Sequence, residues 1–162
     1  MEITIKEYTE GEKEVLLKGI ENLQNYIIEV DPLKRLVSSR EQREGYTDKL
    51  LKAVSEREGK IYLAEEGEEV VGFIVGTIQP EPTGGTLESI PSNPGWIREL
   101  YVDEKMRGRG VGKLLIKTLE DYFKSKNCDT VLVGVFTANT LSHNFYETNG
   151  YVDREVMMLK KI

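Results

Sequence analysis

From Trp96 to Phe136 the chain reads strand, glycine turn, helix, strand, and no other stretch limits its fold as strongly. Trp96 to Val102 has the β-branched and aromatic content of a strand. Glycines 108, 110 and 112 follow, and Val111, Leu114, Leu115, Thr118, Leu119, Tyr122 and Phe123 then recur at helical spacing. Thr130 to Phe136 is a continuous apolar run, as expected of a strand buried on both faces. Two such strands joined through one helix make a right-handed parallel crossover. The chain therefore builds a layered sheet with at least one helix against it.

The rest of the sequence supplies more strands and more cover. Glu2 to Tyr8 alternates, with Ile3 and Ile5 on one side. Thr9 and Glu12 have the spacing of a capping box, and Leu16, Ile20, Leu23 and Ile27 follow as a helical stripe. Ser38-Ser39-Arg40-Glu41 reads as a second capping box before a helix carrying Tyr46, Leu50 and Val54, with Gly59 beyond its end. Ile61 to Ala64 and Val70 to Ile78 form a hairpin around Glu65-Glu66-Gly67-Glu68-Glu69. Gln79 to Gly95 holds four of the five prolines and reads as a long loop. A short helix from Asn139 to Thr148 and a last strand from Glu155 to Ile162 complete the order β-α-α-β-β-β-α-β-α-β. The expected class is α/β, with a central mixed sheet of about 6–7 strands and about four flanking helices.

At 162 residues, with 39% hydrophobic and 31% charged content, the chain suits one domain over residues 1–162. No apolar run approaches the roughly 20 residues that cross a bilayer, and the start lacks a signal-peptide block. Cys128 is the one cysteine, with no cluster of ligands beside it, so neither a disulfide nor a metal site is expected. A reducing, cytoplasmic setting follows. A net charge of −6 without a basic block disfavours nucleic acid as the main ligand. An acidic surface suits a cationic acceptor such as an amine, although acidity also serves solubility alone.

The glycine turn points to an anion. Without side chains, successive N–H groups can face one concavity, and the helix that starts there adds positive potential. Arg107 and Arg109 add cations, so a diphosphate is the expected ligand. A Walker A loop fails, because Arg107 stands where its first glycine should be and Leu114 where its hydroxyl should be. The dinucleotide fingerprint fails on glycine spacing. The bland alternative is a plain tight turn from strand to helix.

Arg107-x-x-Gly110-x-Gly112, preceded by Leu100-Tyr101-Val102-Asp103, resembles the Q/R-x-x-G-x-G/A signature of the GNAT superfamily of N-acetyltransferases. Asn139-x-x-Ser142-x-x-Phe145-Tyr146-x-x-x-Gly150-Tyr151 resembles its later motif. The element order resembles the family throughout, while the motifs cover roughly the second half of the chain. This resemblance implies a GNAT-like fold and acetyl-CoA as co-substrate, with no metal. It implies that the amides of Arg107, Gly108, Arg109, Gly110, Val111, Gly112 and Lys113 hold the pyrophosphate. Leu100, Tyr101 and Val102 would pair with the pantetheine arm between two splayed strands, and Asn139 and Ser142 would touch it. Tyr146 would be the general acid that serves the leaving thiol; its alternative is core packing. Glu99 is the candidate general base, against the plainer reading of a strand glutamate that faces solvent or pairs with Arg98, and Asp103 is the second candidate. Glu29 and Asp31 border the acceptor region. The implied partner is a small-molecule or peptide amine, with neither nucleic acid nor membrane, and pairing into a homodimer is left open. The rival reading is a non-catalytic acyl-CoA sensor on the same fold.

Overall fold

The computed structural model describes residues 2–79 and 92–160. Most of the Gln79–Gly95 loop and the last two residues of the expected final strand lie outside these. Five strands form one sheet in the order β1-β2-β3-β4-β5: Ile3–Glu7, Lys60–Glu66, Glu69–Ile78, Pro94–Val102 and Thr130–Val133. The first three junctions are antiparallel and β4–β5 is parallel, so the sheet is mixed. Four helices flank it: α1 (Lys13–Val30), α2 (Arg40–Glu56), α3 (Val111–Ser125) and α4 (Thr140–Thr148).

Period-two alternation sorts the sheet's side chains into two cores. On one face Leu16 and Ile20 of α1 and Leu50 of α2 meet Leu63, Phe73 and Val75. On the other, Val111, Leu115, Ile116, Leu119 and Phe123 of α3, with Tyr146 of α4, cover Ala64, Ile74, Ile78 and Ile97. Glycines set how closely α3 approaches. A methyl group at Gly76 would stand 2.6 Å from the Phe123 ring, so the ring lies almost on the sheet backbone. Phe123 is 1% exposed. We expect Phe123→Ala to cost about 3–5 kcal/mol in urea unfolding, because the glycines cannot fill the space left behind.

The strand count is lower than expected. The described part of the final strand, residues 155–160, pairs with nothing among the described residues, and Val156, Met157 and Met158 are exposed. β5 is also shorter than the apolar run, ends at Val133, and lies at the sheet edge rather than buried on both faces. The second capping box sits one residue later, at Ser39 and Gln42, because Ser39 takes the extended N-cap conformation. Beyond α2 the left-handed residue is Glu58, not Gly59. Gly59 is needed instead for a close approach, since a methyl group there would fall 2.5 Å from the Gly76 carbonyl oxygen.

Candidate active site

The site lies where β4 leaves β5. Their parallel ladder covers only Pro94–Ile97 against Thr130–Val133. β4 continues to Val102 along β3, so past Ile97 its β5-facing edge has no strand partner among the described residues. The ladder thus ends within the pair of strands expected to part around the pantetheine arm. The register of β4 against β3 also slips: Val75 faces Glu99, yet the next residue, Gly76, faces Ile97. Arg98 is the extra residue of a bulge, and a bulge re-aims the side chains beside it. Ile97 and Leu100 consequently both serve the α3 core, while Glu99 turns toward α2.

Glu99 is half-buried there and accepts a hydrogen bond at Oε1 from the hydroxyl of Tyr46 on α2. Burial pushes its carboxyl up to about 7, against the opposing pull of that hydroxyl and of the Arg98 charge. Arg98 itself stacks on Trp96, with 4.7 Å from Cζ to the ring centre. Tyr146 comes from α4, is 7% exposed, and packs edge-on against Phe145 and Tyr151. Burial and then the Glu99 charge raise its hydroxyl well above the ordinary tyrosine value. It is therefore a neutral donor at physiological pH. The charge of Glu99 on β4 thus acts on the Tyr146 hydroxyl on α4.

The glycine turn lies beyond the end of β4. Gly108 and Gly110 have φ of +76° and +84°, the left-handed region that glycine alone enters freely. A methyl group at either would meet nothing within 4 Å, so the space before the turn is open. Among the described residues, the amides from Gly108 through Lys113 have no backbone acceptor; the first amide of α3 that does is Leu114, bonded to the Gly110 carbonyl. Gly112 has a different duty. A methyl group there would stand 3.0 Å from the Phe145 ring, so this glycine lets α4 close on α3.

These observations match one family. The acetyltransferase (GNAT) family model matches residues 25–151. The chain belongs to this family. It is 36% identical over 97 residues to an uncharacterized N-acetyltransferase of Methanocaldococcus jannaschii, a match over 59% of this chain and 54% of that protein. The chain thus spans about half the length of the curated relative it matches. Its fold is that of the BH1408 protein of Bacillus halodurans, solved as a tetramutant (TM-score 0.85, 18% identity, 98% and 99% of the two chains). It is also that of AAC(6')-Iy in complex with the bisubstrate analogue CoA-S-monomethyl-acetylneamine (TM-score 0.71, 17% identity, 100% and 99%).

Asn139 caps α4, its Oδ1 accepting from the Ser142 amide at 3.1 Å and from the Tyr26 hydroxyl at 3.1 Å. Tyr26 thereby links α1 to α4 across the open end of the sheet. Arg107 lies over the Tyr26 ring, 5.7 Å away, and donates from Nε to the Val102 carbonyl at 3.3 Å. Arg109 points elsewhere, to Glu66 at 2.6 Å, and its guanidinium does not join the turn. Lys113 is exposed. Leu100 and Val102 face the α3 core, whereas Tyr101 faces α1, with its hydroxyl shared between Asn22 and Asp103. Asp103 is held by that bond at the strand end. Asp31 is structural: its carboxylate accepts the amides of Leu33, Arg35 and Leu36, which hold it below the usual carboxylate range. His143 pairs with Asp153 at 2.8 Å. Tyr46, Tyr26 and Asn22 belong to neither motif. The spacing of Tyr46 with Leu50 and Val54 predicts a core position, yet a tyrosine buried at the ring still needs a partner for its hydroxyl. Among the described residues no helix is long and apolar enough to cross a membrane, and no cluster of His, Cys, Asp or Glu fits a metal ion.

Proposed function

We propose that this chain transfers the acetyl group of acetyl-CoA to a primary amine, on a small molecule or a protein, by direct attack in a ternary complex. The carrying observation is that β4 runs on past the end of its ladder with β5 carrying Glu99, poised near neutrality, whose charge acts on the protonated hydroxyl of Tyr146. The unengaged amides from Gly108 to Lys113 and the open space before them suit a diphosphate. The edge of β4 beyond Ile97, without a strand partner among the described residues, suits the amides of a pantetheine arm added as a further strand, and the family resemblance would set Asn139 and Ser142 beside it.

Coenzyme A supplies the acetyl thioester; the residues here move protons. An amine attacks only when neutral. At a pKa of about 10.4 only about one molecule in a thousand is neutral at pH 7.4, a deficit of roughly 4 kcal/mol. A carboxylate with a pKa near 7 can take the ammonium proton and remain largely ionised above that pH. Tyr146 donates its hydroxyl hydrogen toward the departing sulfur. Acetyl transfer to small-molecule amines is also what the fold neighbour's bisubstrate analogue, an acetylated neamine joined to CoA, is built to mimic.

Acetyl-CoA at 100 times its dissociation constant is expected to stabilise the fold by about 2.7 kcal/mol, seen as a rise in Tm. ATP and NAD are expected to give much smaller rises. Release of coenzyme A, followed with a thiol reagent across polyamines, amino sugars, amino acids and peptide N-termini, then tests transfer itself. Cofactor binding without release for any amine would favour a sensor, and a larger Tm shift with ATP or NAD would overturn the reading.

A further inference from the structure

We propose that Tyr46 is a positioning residue that fixes Glu99 as the base of this site, so that α2 sets the pH at which the enzyme works. The inference rests on Glu99 acting as the base. It concerns a residue on a helix that neither motif reaches.

The geometry is specific. Tyr46 and Glu99 are 53 residues apart, and the hydroxyl of one reaches Oε1 of the other. Both ends of this bond are held. On the α2 side, Thr47 is fully buried and its hydroxyl bonds the Arg43 carbonyl at 2.8 Å; Leu50, one turn on, is 4% exposed. The Ser39–Gln42 capping box fixes the helix start. On the β4 side, the bulge at Arg98 is what turns Glu99 toward α2 in the first place. A bond made between two fixed elements orients the carboxylate rather than following it.

One oxygen is engaged and the other is free. Among the described residues Oε2 has no hydrogen-bond partner, and it is not sealed from solvent. Oε1 anchors, and Oε2 is left to receive the proton from the acceptor nitrogen. Tyr46 is kept protonated by burial and then by the Glu99 charge, so it remains a donor across the working range. A donor to the ionised carboxylate favours that form and draws the base toward lower pH. The groups facing Glu99 are few: Tyr46 from α2, Arg98 on its own strand and Tyr146 from α4, with apolar Val75 opposite on β3. Of the two that lower its proton affinity, only Tyr46 is a neutral group whose effect depends on direction.

The test is Tyr46→Phe, which keeps the ring in the core and removes the donor. With 13C-labelled glutamate, the Glu99 carboxyl resonance is identified by its loss in Glu99→Gln and titrated by NMR. Its midpoint is expected to move upward by about one pH unit in Tyr46→Phe, a tenfold change in proton affinity. The acidic limb of log kcat/KM should move by the same amount. Activity should be about tenfold lower below pH 7 and close to wild type near pH 9, with the KM for acetyl-CoA unchanged. In a Glu99→Gln background Tyr46→Phe should have no further effect. An unmoved carboxyl midpoint, or a loss of activity equal at every pH, would overturn the proposal. The NMR readout needs no turnover, so it separates this inference from the acetyltransferase reading. If Glu99→Gln left the acidic limb of the wild type in place, the base assignment would fall, and the role of Tyr46 with it.

Discussion

Gly110→Val will fold and will lose coenzyme A. Two effects act in the same direction. The position has φ of +84°, where a β-branched residue is strained, and the isopropyl group would project into the space before the turn that is now empty to 4 Å. The amides from Gly108 to Lys113, which have no backbone acceptor among the described residues, flank this position. A diphosphate bound there would replace water on amides that have no backbone acceptor among the described residues, and each charge-assisted bond is worth about 1.5–3 kcal/mol. Losing two of them weakens binding by at least about 100-fold. The strain costs of order 1–3 kcal/mol of stability, which a cooperative urea transition would reveal and a well-folded domain can tolerate. Isothermal titration with coenzyme A measures the outcome. Gly112→Val is the informative contrast, because its side chain would strike the Phe145 ring rather than the open space. It should lower Tm first and weaken the cofactor only as α4 is pushed away. A folded Gly110→Val chain that binds coenzyme A tightly would place the diphosphate elsewhere.

The contrast between the glycines shows what sequence could and could not say. Three glycines at a helix start lead to the expectation of an anion turn, but spacing alone treats them as equivalent. Gly108 and Gly110 serve backbone conformation, and Gly112 serves a helix contact that depends on Phe145, 33 residues away. The same limit hid Tyr46. Its periodicity with Leu50 and Val54 was legible, and correctly placed it on the inner face of α2. That its hydroxyl would end at Glu99 depended on a bulge at Arg98, and a bulge leaves no mark in the hydrophobic pattern of Trp96–Val102. Arg107 and Arg109 looked interchangeable as cations, but they leave the turn in different directions, and only Glu66 on β2 explains where Arg109 goes. Elements with a strong local signal came through: α3 by its stripe, α1 by the Thr9–Glu12 box, the β2–β3 hairpin by its polar turn. The last strand did not form over residues 155–160, where Val156, Met157 and Met158 offered β-propensity without a partner. Propensity selects a conformation only where packing rewards it.

Tyr146 and Glu99 carry the other large effect, and their variants should fail in different ways. Tyr146→Phe keeps the ring between Phe145 and Tyr151, so fold and acetyl-CoA affinity should survive. Only the donor is lost. General acid catalysis is worth about 100- to 10,000-fold, and the low end is expected, about 100-fold in kcat. Two reasons place it there: a thiolate leaves tolerably without a proton, and a hydroxyl raised by burial is a weaker acid than an ordinary tyrosine. The loss should fall on kcat with KM for acetyl-CoA little changed, because the bond strengthens as charge develops on sulfur. Glu99→Gln should behave otherwise. The wild-type carboxyl is pushed up to about 7, so its base form dominates above that pH and is lost as pH falls through it. The wild-type profile should therefore lose activity below about pH 7, and Glu99→Gln should show no such limb. Its rate should instead climb toward high pH, where a primary amine is neutral without help, narrowing a gap of about 100-fold or more at pH 7. An acceptor with a pKa near 8, such as a peptide N-terminus, would lose far less, since it barely needs a base. The pattern across acceptors thus reports on the base directly. A Tyr146→Phe enzyme with unchanged kcat would return that ring to packing alone, and a Glu99→Gln enzyme that retained the acidic limb would move the base to another residue.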